Sequence, residues 1–213
     1  MRPHYQDDGL VIYKIKCGPY DNNAYVVVCP RTNRSVVIDA PAEPGPMLAV
    51  ARETEVQAVV ITHNHFDHIM GLEEVRQALG APVGIGAADA GALATPPDFL
   101  LEDGGQVRAG DVVLTALATP GHTPGSTCLV TGRHLFTGDT LFPGGPGKTR
   151  SPENLRQILD SITTRLFALG DDVVFYPGHG DDGDLKTAKE EYAVFASREH
   201  PADLCGDVLW LES

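Results

Sequence analysis

The sequence predicts a layered α/β sandwich. Strand-like and helical segments alternate along its length, antiparallel hairpins cluster near its start, and one almost continuous apolar run reads as a strand covered on both faces.

The strands come first. Residues 10–17 (LVIYKIKC), 24–29 (AYVVVC) and 35–40 (SVVIDA) are β-branched and aromatic, and PRTN between the second and third reads as a hairpin turn. Pro-Gly-Pro opens a helix over 44–53. Residues 56–62 form the buried apolar strand. Residues 69–79 read as a helix only partly in period, and APVGIG as a short strand. Val112–Ala118 is a further strand that ends in TPGHTPGS. Residues 126–131 and 134–138 pair as a hairpin around Gly132–Arg133. A flexible Gly/Pro-rich loop follows at 143–148. Ser151 or Pro152 then opens a helix to about Leu169, VVFY (173–176) is the last clear strand, and 185–197 is helical. No repeat or low-complexity linker interrupts this order, so 1–213 reads as a single domain.

Composition narrows the function classes. The chain is 42% hydrophobic and 21% charged, which is ordinary for a globular protein and excludes disorder throughout. A net charge of −13 would repel phosphate backbones, so no nucleic-acid partner is expected. No window of eighteen apolar residues is present, so no membrane span is expected either. The start, MRPHYQDDGL, lacks an apolar stretch behind a basic end, and the expected location is cytoplasmic. Cys17, Cys29, Cys128 and Cys205 form no CxxC pair and read as reduced, mostly buried thiols.

The chemistry concentrates in Thr62-His63-Asn64-His65-Phe66-Asp67-His68, directly after the apolar strand. If the segment is extended, His63, His65 and Asp67 share a side, and His68 follows at the turn into the next helix. Three more candidates share one context, an apolar strand and then a glycine. They are His122 in TPGHTPG, Asp139 in FTGDT and His179 in YPGHG. Singly each is weak. Together the candidates make five imidazoles and two carboxylates, enough for two ions with three or four ligands each. Nitrogen and oxygen donors without thiolates suit zinc, with iron or manganese as the other fits. His4, His134 and His200 lack that context and read as non-ligands.

These motifs resemble the metallo-β-lactamase fold superfamily. Its HxHxDH signature is met by His63, His65, Asp67 and His68, and its later ligands by His122, Asp139 and His179. The resemblance covers about residues 10–197 and implies a four-layer αββα sandwich with two divalent metal ions at one edge of the sheets. TPGHTPGS, FTGDTLF and YPGHG look most like glyoxalase II. That likeness implies that His63, His65 and His122 hold one ion, that Asp67, His68 and His179 hold the other, and that Asp139 bridges. It further implies a thioesterase in which a metal-bridging hydroxide attacks the thioester carbonyl, with Asp67 as the catalytic residue that orients it and accepts its proton. A small-molecule thioester is then the expected partner.

Two departures bear on the substrate. Only 34 residues follow His179, too few for the helical domain with which glyoxalase II grips glutathione. The segment after Asp139 reads GGPGKTR instead of the family's Gly-Gly-Cys-Gly-Arg type. Lys148 is the candidate for binding a substrate carboxylate, and Asp39 for hydrogen-bonding the metal loops. Asp181, Asp182 and Asp184 read as a solvated turn. A mononuclear-iron persulfide dioxygenase and a lactonase use the same ligand set and stay as alternatives, as does a non-catalytic metal-binding protein. The sequence says little about oligomeric state.

Overall fold

Apolar side chains at alternate positions let the central strands feed two cores at once. The computed structural model describes all of residues 1–213. One sheet has seven strands in chain order: β1 (Tyr5–Gln6), β2 (Val11–Cys17), β3 (Asn22–Cys29), β4 (Arg34–Ile38), β5 (Glu55–Ile61), β6 (Val83–Gly86) and β7 (Phe99–Leu101). β1 to β4 pair antiparallel, and β4 to β7 pair parallel. The second sheet begins with β8 (Gln106–Ala109), β9 (Val112–Ala118), β10 (Thr127–Thr131) and β11 (His134–Gly138), all antiparallel. The chain leaves it through a two-stranded ribbon, β12 (Leu141–Phe142) and β13 (Gly145–Pro146). It returns as β14 (Val174–Pro177), parallel to β11, and β15 (Gly183–Asp184).

Helices cover both outer faces. α1 (Gly45–Ala51), α2 (Phe66–Ile69) and α3 (Leu72–Leu79) lie on the first sheet's side, and α4 (Pro152–Ser161) and α5 (Leu185–Ala196) on the second's. Three apolar cores separate four layers. Val59 and Ile61 of β5 meet Met47 and Leu48 of α1 and Val75 of α3. Ala58 and Val60 of the same strand face Leu114, Leu129 and Phe136 of the second sheet. Leu135 and Phe175 pack on Leu155 and Ile158 of α4, Phe195 of α5 and the buried Trp210. The fold is the αββα sandwich, and the central strand is buried on both faces, as its apolar run requires.

Several expectations shift. The helix read over 69–79 is two helices broken at Met70–Gly71, where Gly71 N–H donates to Ala40 O at 2.9 Å and pins the backbone to the end of the first sheet. Pro152 does sit in the first turn of α4, and Ser151 Oγ caps it by accepting Asn154 N–H at 3.2 Å. Residues 162–166 continue that helix as a π turn. The segment 143–148 is no loose loop: it carries β13, and Gly144 O accepts Trp210 N–H at 2.8 Å. β1, β7, β8 and β15 carry no clear strand signal because they are short edge pieces. Cys17, Cys29 and Cys128 are buried free thiols, and burial pushes Cys17 and Cys128 up to about 11. No helix is long and apolar enough to cross a membrane.

Candidate metal centre

Strand ends on one edge of the stack deliver the candidate residues. β5 stops just before Thr62 and His63, β9 runs into the turn that carries His122, β11 stops at Gly138 before Asp139, and β14 stops at Pro177 before Gly178 and His179. The glycines have geometric reasons. Gly121 and Gly138 have positive φ, at 139° and 47°. A Cβ on Gly178 would run into Asp139 Oδ1 and stand 2.5 Å from His68 Cε1.

The central motif is not wholly extended. His65 is the extended residue before α2 (φ −64°, ψ 141°), so Asp67 and His68 lie in a helical turn. Asp67 therefore leaves the side shared by His63 and His65, because a helix turns about 100° per residue. The turn splits the motif between two clusters. One ligating atom from each of His63, His65 and His122 lies within 4.8 Å of the others, and the same holds for Asp67, His68 and His179. Asp139 stands between the clusters. Its carboxylate is 3.4 Å from His68 Nε2, 3.6 Å from His122 Nε2 and 3.8 Å from His179 Nε2.

The donor atoms are arranged for metal ions. His63 Nε2, His68 Nε2, His122 Nε2 and Asp139 Oδ1 are buried without any hydrogen-bond partner. Buried polar atoms are rarely left so, and these four converge on one place. The opposite nitrogens are committed elsewhere. His68 Nδ1 donates to Asp39 Oδ2 at 2.8 Å, His122 Nδ1 to Lys148 O at 2.8 Å and His179 Nδ1 to Tyr20 O at 3.0 Å. His63 Nδ1 lies 3.1 Å from Thr62 Oγ1, whose own proton goes to Asp39. These bonds fix the tautomers that present Nε2 inward. The cluster is able to hold metal ions.

Residues 17–179 match the family model of the metallo-β-lactamase superfamily. The chain belongs to that superfamily. It is 32% identical over 193 residues to a probable hydroxyacylglutathione hydrolase of Schizosaccharomyces pombe, across 85% of this chain and 72% of that one. It is 30% identical over 200 residues to a probable metallo-hydrolase of Bacillus subtilis, across 84% of this chain and 94% of that one. Among solved structures it resembles TTHA1623 in a di-iron-bound form, at a TM-score of 0.69 and 27% identity, across 83% of this chain and 96% of that chain.

Electrostatics in this metallo-β-lactamase fold suit cation binding. Burial pulls His63, His65 and His122 below the ordinary histidine range, which keeps their lone pairs free at neutral pH. Burial opposes ionisation of Asp139, but the close approach and charge of His68, together with His63 and His122, hold it well below the usual carboxylate range. Asp67 is likewise held low against burial, by His179 and Asn22. Against burial, Asp39 and Asp139 raise His68 well above its ordinary value, and Asp67 raises His179.

Beside the centre lies a cavity of about 280 Å³, lined by His122, Asp139, Phe142, Lys148, Asp207 and Leu209 among others. Lys148 thus borders the cavity, but its ammonium is engaged by Asp207 Oδ2 at 2.7 Å. A larger apolar cavity of about 480 Å³, near α1 and β2, touches none of the seven residues. Asp39 is buried, and it accepts Thr62 N–H at 2.8 Å as well as His68 Nδ1–H. The remaining histidines stand apart from the cluster. His134 Nδ1 pairs with Tyr176 Oη at 2.8 Å, His4 pairs with Asp182, and His200 stacks on Phe195. The acidic run is more than a solvated turn, because Asp182 also binds Lys14 at 2.6 Å and Asp184 caps α5.

Sequence reasoning missed Asn22, whose Nδ2 donates to Asp67 Oδ2 at 2.9 Å. Two adjacent asparagines opening an otherwise apolar strand were the available signal. It also passed over the buried side chains of Thr62 and Asp89.

Proposed function

We propose that this chain is a two-metal hydrolase acting on small-molecule thioesters, of the hydroxyacylglutathione hydrolase type. The position of Asp139 carries this reading. One carboxylate within 3.4–3.8 Å of His68, His122 and His179 Nε2 would be shared by two ions. His63, His65 and His122 would hold one ion, Asp67, His68 and His179 the other, with zinc the first fit to the donor set. The di-iron form of TTHA1623 and the similarity to a probable hydroxyacylglutathione hydrolase support both parts.

Bound divalent ions supply a Lewis acid and water acidified to near neutral pKa. The chain's residues do the rest. Nδ1 hydrogen bonds keep four imidazoles fixed, so the site needs little rearrangement during turnover. Asp67 stays ionised and is held by Asn22, which suits it to orient a water. Its depressed pKa makes it a weak proton acceptor, so orientation is its main part. A thioester demands little of the protein at the leaving group, since thiol pKa values lie near 8.5. Lys148 would reach a substrate carboxylate only by giving up Asp207.

The test is metal analysis with a panel of thioesters, lactones and a persulfide, followed by thiol and acid release. Two ions per chain and thiol release are expected, and Asp139→Ala should lose an ion and most turnover. One iron per chain with oxygen uptake on the persulfide would replace this reading by a dioxygenase. Acid release from lactones alone would make it a lactonase, and no turnover of any of them a metal-binding protein.

A further inference from the structure

We infer that Asp89, a residue outside the seven, is the positioning residue that holds the three-histidine cluster together. It lies in a short 3₁₀ helix (Ala87–Ala92) after β6 and is 1% exposed. It forms no ion pair, so its buried oxygens have to be satisfied by hydrogen-bond donors. All its donors come from the two loops that carry His63, His65 and His122. Asp89 Oδ2 accepts Asn64 N–H at 2.9 Å, from the peptide between His63 and His65. The same oxygen accepts Thr123 Oγ1–H at 2.6 Å, from the residue after His122. Oδ1 accepts Gly125 N–H at 2.9 Å.

The direction of these bonds is settled by chemistry. A carboxylate only accepts, so the single proton of the Thr123 hydroxyl points to Asp89. Ser126 Oγ, 2.7 Å from Thr123 Oγ1, must then donate to Thr123, while it accepts Thr123 N–H at 3.0 Å. The turn around His122 is thereby closed on itself and tied to the His63–His65 segment through one side chain. A second link runs backbone to backbone, from Thr127 N–H to Thr62 O at 2.9 Å.

Asp89 differs from Asp39 in what it reaches. Asp39 binds His68 directly and His63 through Thr62, so it serves both clusters. Asp89 reaches only the loops of His63, His65 and His122. It makes no hydrogen bond to Asp67, His68, Asp139 or His179. Its loss should therefore loosen one ion and spare the other.

This inference rests on the two-metal reading, and the experiment separates the two. The full chain is loaded with Co(II) and titrated against a chelator, with the visible absorption of the bound ion followed in parallel. Wild type should bind two ions. Asp89→Asn should weaken one about tenfold and change the spectrum of that three-nitrogen site, while the other ion stays within about twofold. Asp89→Asn keeps the shape but puts an amide where an oxygen accepted. Thr123→Val, which removes one of the three bonds to Asp89 along with the acceptor of Ser126, is the milder variant should Asp89→Asn fail to fold. It should show the same selective loss to a smaller degree. A uniform scaffold role would instead weaken both ions equally or lower thermal stability with both affinities intact, and either result overturns the inference. Wild type that takes up a single ion or none would overturn the two-metal reading itself.

Discussion

Asp39→Asn tests how far the imidazole orientation rests on one buried carboxylate. Asp39 has a left-handed backbone (φ 62°), a conformation that Asn also tolerates, so the swap avoids the steric cost an Ala would bring. The wild-type side chain takes Thr62 N–H at 2.8 Å, Thr62 Oγ1–H at 2.9 Å and His68 Nδ1–H at 2.8 Å. Asn keeps one accepting oxygen for these donors and turns two N–H groups toward the rest. If that oxygen stays with Thr62, His68 loses its acceptor and its preference for the tautomer with Nε2 free. A hydrogen bond to a charged group contributes about 1.5–3 kcal/mol. Loss of such a support costs about 10–100-fold in metal affinity, equivalent to about 1.4–2.7 kcal/mol, so the two scales agree. Because Asp39 also reaches His63 through Thr62, both ions should weaken, in contrast to Asp89→Asn. Chelator competition with Zn(II) reads the affinities, and thermal unfolding of the ion-free protein checks the fold. Affinities within twofold of wild type for both ions would refute the reasoning.

Gly178→Ala places a methyl against Asp139 and His68, so bound metal should fall below one ion per chain on elemental analysis, at a folding cost of about 1–3 kcal/mol. His134→Ala should leave metal content unchanged, yet it removes a buried ring and its bond to Tyr176, so denaturant titration should show about 1–3 kcal/mol of lost stability. Zinc uptake near pH 7 should release protons, seen by calorimetry in buffers of different ionisation enthalpy. The raised pKa of His68 means that it holds a proton its Nε2 must give up to an ion, whereas His63 and His122, lowered by burial, have none to release. The same shifts set opposite pH trends in the ion-free protein. The stability His68 contributes is complete below pH 6.5 and is lost as pH rises through its folded pKa, while that of His63 and His122 is lost as pH falls below 6.5. Uptake without proton release would refute the assignment of His68.

Local pattern was enough for the layered architecture and for the choice of residues at the centre. An apolar run such as residues 56–62 reads as a strand buried on both faces, and a polar residue after an apolar strand and a glycine reads as a strand end wherever it sits. Neither signal depends on distant residues. How the residues divide did depend on them. Gly71 docking on Ala40 ends α2 early, and that helical turn takes Asp67 off the side shared by His63 and His65. The supporting groups were invisible for the same reason. Asn22, Asp89, Tyr20 O and Lys148 O come from segments 25 to 159 positions away from the groups they serve. Lys148 was legible as a cation near the centre, but its engagement by Asp207 was set by the C-terminal segment folding back over β13. The sequence by itself determined the layers and the candidate donor residues, because periodicity and residue chemistry are local properties. Only the tertiary structure decided which donors share a cluster, which nitrogen each imidazole presents and what holds it there, because those follow from contacts between residues far apart in the chain.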